Sequence, residues 1–198
     1  LAVASFEAQD TRIHLLDTPG YTDFLGHSQP ALAAVETAAV VINAQNGLEL
    51  MTGRMMQWAA DQGLDRLIIV NKIDAPNTDL RALLEQIQTV FGKGCLPINL
   101  PAGNASRVSD CFFAPGGESD FSSVEKAHRQ LVDQVVEVDE KLMEVYLEQG
   151  EISAEQLHEP FERALREGHL IPVVFTSART GAGIAELLDV IVKLLPNP

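Results

Sequence analysis

The stretch Leu67-Ile68-Ile69-Val70-Asn71-Lys72-Ile73-Asp74 (LIIVNKID) decides the fold class of this chain of 198 residues. Four apolar residues, three of them β-branched, run directly into a polar loop, which is typical of a strand buried on both faces of a sheet. Apolar runs at 13–16, 38–44 and 171–175 also end in polar turns. Helical patterns lie between them, so the sequence predicts an α/β fold, with a mostly parallel sheet and helices on both faces.

The helical patterns indicate which segments cover the sheet. Apolar residues recur at helical spacing in 29–37, 50–61, 79–91 and 184–195. Residues 1–9 predict a further strand at the sheet edge, with antiparallel pairing as one option.

The segment 95–168 departs from this alternation. Residues 102–122 are rich in Gly, Ser, Asn and Pro, which is typical of loops. A long helix should open at Ser122, which has capping-box spacing to Glu125, and its apolar stripe extends to Val145.

A second capping box, Ser153 with Gln156, predicts a shorter helix that Pro160 should kink or delay.

These patterns together predict that the chain has three parts. Residues 1–94 and 169–198 form the α/β domain, and residues 95–168 form a mainly helical insertion in it.

Composition excludes several classes of function. The chain has 28 acidic and 14 basic residues, a net charge of −14, and such a surface repels DNA and RNA backbones. No apolar run approaches the ~20 residues that span a membrane. Cys95 and Cys111 lack the spacing of a zinc site or disulfide framework, which favours a reducing cytoplasm. The sequence opens at Leu1 in mid-pattern, so we expect a piece of a longer protein.

The stretch Asp17-Thr18-Pro19-Gly20 (DTPG) places an acid and a glycine directly after a predicted strand. Ligands of α/β proteins bind at the carboxyl ends of such strands. A carboxylate there can hold Mg²⁺ through water, and a glycine lets the backbone approach a phosphate closely. A strand that ends in a Pro-Gly turn explains this motif alone equally well.

The loop Asn71-Lys72-Ile73-Asp74 (NKID) offers a way to recognise guanine. A carboxylate at Asp74 can accept two hydrogen bonds from the N1–H and N2–H₂ edge of guanine, a donor pair that adenine lacks. The stem of Lys72 can lie along the base, and Asn71 can tie the loop to its neighbours. The alternative is an ordinary polar loop with a helix cap.

Thr176-Ser177-Ala178 (TSA) follows the last apolar run. A small residue here lets the N–H of Ala178 reach the guanine O6 atom. By itself the motif is a very weak signal, and a plain strand end explains it better.

The three motifs, in this order and each at a predicted strand end, resemble the G3, G4 and G5 elements of P-loop GTPases. DTPGYTDF, NKID and the segment before TSA are most similar to the G domain of elongation factor G-like translational GTPases. Residues 137–148 resemble a helix of that family's inserted G′ subdomain, and 194–198 resemble its exit from the G domain.

The resemblance implies a site for GTP or GDP and Mg²⁺. Asp17 would hold Mg²⁺ through water, Gly20 would sense the γ-phosphate, and 21–37 would form the mobile switch II. It also implies GTP hydrolysis coupled to translocation, with the ribosome and its stalk protein as partners. The implied nucleotide-binding residues are Asp17, Thr18, Pro19, Gly20, Asn71, Lys72, Asp74, Ser177 and Ala178.

Two features depart from the family pattern. The motif G-x-x-x-x-G-K-[ST] does not occur, and with switch I it would lie before Leu1, so we expect this piece to bind GTP and Mg²⁺ weakly or not at all. Tyr21 stands where the family typically has a histidine that positions the attacking water. Phenols are neutral at physiological pH, so catalysis involving Gly20 and Tyr21 should be slower or differently triggered, as in a paralogue.

Several alternatives stay open. The parent protein can be another ribosome-associated GTPase, of release-factor-like or ribosomal-protection type. It can also be a guanine-nucleotide switch that scarcely hydrolyses, which Tyr21 motivates, or the chain can be an inactive folded remnant. No nucleophile–base pair indicates a hydrolase of another kind.

Overall fold

The chain begins with a β-hairpin and continues as alternating strands and helices. The structure, a computed structural model, describes residues 1–149 and 152–197. Short 3₁₀ turns at Thr22–Phe24 and Leu32–Ala34 flank the first α-helix. The elements are β1 (Ala2–Ala8), β2 (Thr11–Asp17), α1 (Leu25–Ala31), β3 (Thr37–Asn43), α2 (Leu50–Asp61), β4 (Asp65–Asn71), α3 (Leu80–Phe91), β5 (Cys95–Pro97), β6 (Asn99–Ala102), β7 (Arg107–Asp110), α4 (Val124–Val136), α5 (Glu140–Gln149), α6 (Ala154–Arg166), β8 (Ile171–Phe175) and α7 (Ile184–Lys193).

The central layer is a four-stranded parallel sheet in the order β3-β4-β8-β5. All five residues of β8 are buried. Because successive side chains of a strand point to opposite faces, β8 must be covered on both. This confirms the predicted α/β fold with a mostly parallel sheet. No described helix combines the length and apolar character that a membrane span requires.

The first two strands form a separate antiparallel sheet, paired from Ala2 with Asp17 to Ala8 with Thr11. Gln9 and Asp10 connect them in left-handed conformations (φ 49° and 60°), as a tight hairpin turn requires. The strand predicted at 1–9 is present and antiparallel, but it lies in this separate sheet and not at the edge of the parallel one. The run at 13–16, predicted as one of the parallel strands, pairs with β1 alone among the described residues. The two-residue connection between β1 and β2 permits only antiparallel pairing.

The predicted position of the helix at 29–37 is wrong, because the observed helix lies closer to the N-terminus. Helix α1 begins at Leu25, and Val35 is already extended (φ −137°, ψ 155°) before β3 opens at Thr37. The predicted α2 matches the observed bounds, and α3 begins one residue after its cap, Asp79, whose carboxylate accepts the N–H of Ala82.

The long helix predicted from Ser122 is two helices. Ser122 is left-handed (φ 66°), and the cap is Ser123, whose hydroxyl accepts the N–H of Lys126. Helix α4 ends at Val136, and α5 starts after Asp139, whose carboxylate accepts two main-chain N–H groups of the next helix at 3.1 Å. An N-cap of this kind fixes a new helix start and so interrupts the stripe.

The second capping box is confirmed, with Ser153 and Gln156 bonding each other's main chain at the start of α6. The helix runs through Pro160 to Arg166, so the proline does not delay it. Strand β5, at the start of the predicted insertion 95–168, belongs to the parallel sheet, whereas β6 and β7 pair only with each other in the described chain. The ring of Phe112, which follows β7, contacts the ring of Phe161 in α6, with their centroids 4.8 Å apart.

Candidate functional site

Two of the three predicted loops meet at the carboxyl end of the parallel sheet. Asn71 is the last residue of β4, and Thr176 follows the end of its neighbour β8. The main chains of the loops bond directly, from Ile73 N to Thr176 O at 3.2 Å and from Thr176 N to Val70 O at 2.8 Å. The strand order therefore places the NKID and TSA loops side by side, where α/β folds bind ligands.

The side chain of Asn71 joins these two loops. Its Oδ1 atom accepts the N–H of Lys72 at 2.7 Å and the N–H of Ala178 at 3.0 Å. The first bond holds Lys72 in a left-handed conformation (φ 65°), which costs a residue other than glycine on the order of 1 kcal/mol. The exposed side chain of Lys72 is therefore presented from a fixed backbone.

The carboxylate of Asp74 is held across the two loops. Ser177 Oγ donates to Asp74 Oδ1 at 2.6 Å, and the Arg179 guanidinium lies 3.9 Å from Oδ2. The Ser177 hydrogen bond is the main cause that lowers the pKa of Asp74 below the ordinary carboxyl value, and Arg179 contributes in the same direction. The group is therefore an ionised acceptor at neutral pH, and 17% of its side chain stays exposed.

A cleft of about 690 Å³ adjoins this carboxylate, between the loop from Ile73 to Arg81 and the segment around Asp120 and Phe121. Its size lies within the range of small-molecule sites.

The DTPG motif lies at the end of the hairpin. Asp17 is the last residue of β2 and is exposed, as is Gly20. Ser28 Oγ donates to Pro19 O at 2.7 Å, which anchors the turn. A Cβ at Gly20 would meet no atom within 4 Å, so the described chain does not itself require a glycine there.

Tyr21 follows with 79% of its surface exposed. No hydrogen bond joins 17–21 to the NKID or TSA loop among the described residues. The structure thus brings together Asn71, Lys72, Asp74, Ser177 and Ala178, and leaves the DTPG residues and Tyr21 on a separate element.

The DTPG turn contains one carboxylate, that of Asp17, as a candidate ligand for Mg²⁺. No group of three or more His, Cys, Asp or Glu side chains gathers into a cation site in the described part of the chain. Mg²⁺ commonly keeps several waters and needs only one or two carboxylates beside substrate phosphates. An exposed Asp17 fits such a role, which remains a prediction.

Sequence reasoning missed one buried residue beside the site, Asn99. Its Nδ2 donates to Phe175 O at 3.1 Å, and its Oδ1 accepts the N–H of Phe175 at 2.7 Å. The available signal was an amide within the apolar run Leu96-Pro97-Ile98-Asn99-Leu100, since a buried polar side chain needs a partner.

Comparisons with known proteins identify the family of this chain. The family described as "Elongation factor Tu GTP binding domain" matches residues 1–197. The chain is 33% identical over 211 aligned residues to proteins called "Elongation factor G-like protein" from two Mycobacterium tuberculosis strains, CDC 1551 / Oshkosh and ATCC 25618 / H37Rv. These alignments cover 100% of this chain and 30% of each relative.

A solved structure shows the same fold. The crystal structure of the Thermus thermophilus protein ttk003000868 superposes with a TM-score of 0.86 at 34% identity, over 99% of this chain and 32% of that one. The chain thus spans about a third of the length of the proteins it matches. With the family match along nearly its whole length, the chain belongs to the GTP-binding-domain family of elongation factor Tu.

Proposed function

We propose that this chain is the guanine-reading part of the G domain of an elongation factor G-like translational GTPase. The observation that carries the proposal is the ionised Asp74 carboxylate, held by Ser177 beside a loop that Asn71 ties to Ala178. Carboxylate and guanine edge are complementary, and an adenine would leave the acceptor unpaired.

The roles of the base-reading residues follow from their positions. Asp74 accepts from guanine, Lys72 lays its stem along the base, and Asn71 and Ser177 hold the two loops together. The N–H of Ala178 donates to Asn71 in this structure. Contact with guanine O6 therefore requires that N–H group to be shared between two acceptors or to turn.

The DTPG turn would face the phosphates. Asp17, Thr18, Pro19 and Gly20 line it, and Asp17 would hold Mg²⁺ through water. When bound, Mg²⁺ neutralises charge that develops on the phosphate oxygens. Gly20 is exposed, so a phosphate can approach its N–H.

Hydrolysis in the full-length protein would use Gly20 and Tyr21 to place a water in line with the γ-phosphate. The exposed Tyr21 can offer its hydroxyl to that water. It supplies no cation and no ready base at neutral pH, so turnover should depend on the ribosome.

The wider assignment follows the relatives. We propose a cytoplasmic protein whose hydrolysis is coupled to ribosomal translocation, with residues 95–168 as an inserted subdomain between 1–94 and 169–198. The acidic helix α5 in that segment is a candidate contact for the ribosomal stalk protein.

A second candidate is a guanine-nucleotide switch with little hydrolysis. Tyr21 at the position of the attacking water favours it, because an unassisted phenol contributes little general-base catalysis. A release-factor-like or ribosomal-protection role would share the same G domain.

Two experiments test the proposal, one for recognition of the guanine base and one for GTP hydrolysis. Guanosine and adenosine titrated into this chain, followed by NMR, test base reading without phosphate contacts, and we expect shifts at Asn71, Lys72 and Asp74 with guanosine only. Equal shifts with both nucleosides would contradict the assignment.

The second experiment measures single-turnover GTP hydrolysis by the full-length protein with and without ribosomes. Rapid ribosome-dependent hydrolysis supports the assignment as a GTPase. Tight GTP binding with negligible hydrolysis under both conditions would favour the switch.

A further inference from the structure

One buried amide of the segment 95–168, that of Asn99, bonds the last residue of β8, directly before the TSA loop. We propose that Asn99 is a positioning residue for the TSA loop, holding the end of β8 so that Ser177 and Ala178 face the NKID loop. This inference rests on the proposed function of those loops.

The main chain alone does not complete the pairing of β8 on the β5 side. Strand β5 pairs with β8 as far as Pro97 with Val173, and Ile98 N donates to Val173 O at 2.9 Å. The chain then turns away into β6. In place of the main-chain hydrogen bonds that a longer β5 would make, the side-chain amide of Asn99 bonds the N–H and the C=O of Phe175.

Phe175 is the last residue of β8 and is fully buried. On its other side β8 pairs with β4, up to Val70 with Phe175. The ring of Phe121, also from segment 95–168, packs edge-on against it at 5.9 Å. Phe175 is therefore held on both edges, and on one edge by side chains alone.

The consequence for the site is direct, because Ser177 lies two residues beyond Phe175. Its hydroxyl bonds Asp74, and the next N–H, of Ala178, bonds Asn71. Without Asn99, the buried N–H and the buried C=O of Phe175 lose the partners that the described residues give them on that edge, and leaving such groups unpaired costs free energy. A local shift of Phe175 that restores water contact would carry Ser177 away from Asp74.

The first test compares Asn99→Leu with Leu131→Ala. Leu131 is fully buried on α4 of the same segment, so its truncation destabilises the segment without removing a partner of Phe175. NMR measures two quantities in each folded variant: the Asp74 carboxyl titration and the dissociation constant for guanosine.

We expect Asn99→Leu to move the Asp74 titration towards that of an ordinary carboxyl group and to weaken guanosine binding about tenfold, which corresponds to about 1.4 kcal/mol. Leu131→Ala should change neither at temperatures where it is folded. Wild-type titration and affinity in Asn99→Leu, or equal changes in both variants, would overturn the inference.

A second variant covers the case in which Asn99→Leu does not fold. In Asn99→Asp the neutral acid can donate to Phe175 O and accept from Phe175 N, whereas the ionised form cannot donate. The amide shifts of Ser177 and Ala178 should therefore match those of the wild type at low pH and depart from them as the new carboxyl ionises. Shifts that show no such pH dependence would refute the positioning role.

Different results would refute base reading by the two loops and positioning by Asn99. If the wild-type chain binds guanosine and adenosine equally tightly, base reading is refuted. The Asp74 titration in the Asn99 variants still decides whether Asn99 positions the loop.

Discussion

Replacing Asn71 by alanine should loosen the contact between the NKID and TSA loops, and the resulting loss in the free energy of unfolding can be estimated from the structure. Asn71 Oδ1 accepts two main-chain N–H groups, from Lys72 at 2.7 Å and from Ala178 at 3.0 Å. A typical hydrogen bond contributes about 0.5–1.5 kcal/mol net, and water can partly replace both here because the loops are exposed. Asn71→Ala should therefore lower the free energy of unfolding by about 1–2 kcal/mol.

The matched control is Asn71→Asp, which keeps an oxygen acceptor at the same position. Its free energy of unfolding should stay within about 0.5 kcal/mol of the wild-type value. Urea denaturation measures both variants, and the melting temperature of Asn71→Ala should fall by roughly 3–6 °C for a chain of this size.

Amide hydrogen exchange adds a local measurement to these global ones. The N–H of Ala178 should lose protection in Asn71→Ala and keep it in Asn71→Asp. If Asn71→Ala is as stable as the wild type, or if both variants lose the same stability, the loop contact does not depend on the Oδ1 acceptor and the reasoning is refuted.

Three further predictions concern titration, catalysis and thiol reactivity. Ser177→Ala should raise the pKa of Asp74 towards the ordinary value, as followed by NMR. Because folding lowers this pKa, its stabilising effect is present above the unfolded-state pKa and is lost as pH falls through the folded one. The stability deficit of Ser177→Ala should therefore be largest at neutral pH and shrink in acid to the part that comes from the lost Thr180 N–H bond to Ser177 Oγ at 3.2 Å. Tyr21→His in the full-length protein should raise ribosome-stimulated single-turnover GTP hydrolysis at least about tenfold, since imidazole can accept a proton near pH 7; an unchanged rate would remove Tyr21 from the mechanism. Burial raises the pKa of Cys95 to about 11 and of Cys111 to about 12, so both thiols should react with a disulfide reagent only after denaturant is added, and fast native labelling would contradict their burial.

The sheet could be predicted because each of its central strands has a signal in its own local sequence. Residues 67–70 and 171–175 are continuous apolar runs that end in polar turns, and both became central, buried strands. A parallel sheet brings the carboxyl ends of neighbouring strands to one edge. Strand type therefore predicts that the NKID and TSA loops lie at the same edge of the sheet, whereas their direct contact depends on the strand order, which places β4 beside β8.

The failures come from interactions between distant residues. The stripe from Val124 to Val145 continues at helical spacing, so nothing in it predicts the break between α4 and α5. In the structure Arg163, from α6, donates to Val138 O at 3.2 Å and to Asp139 Oδ2 at 3.4 Å, and so stabilises the non-helical link. Asn99 was missed for the same reason, since its partner Phe175 lies 76 positions later.

The residues proposed for base reading and those proposed for hydrolysis lie on different elements of this chain. The proposed base-reading residues lie at the ends of β4 and β8, two largely buried strands whose loops bond each other. Gly20 and Tyr21 follow β2, in a hairpin that pairs with none of the parallel strands among the described residues. Loops that are already joined lose little conformational freedom on binding a ligand, whereas ordering an exposed turn has a larger entropic cost. Specificity for guanine should therefore be a fixed property of the parallel sheet, and the rate of hydrolysis a property of whatever orders the turn at Gly20.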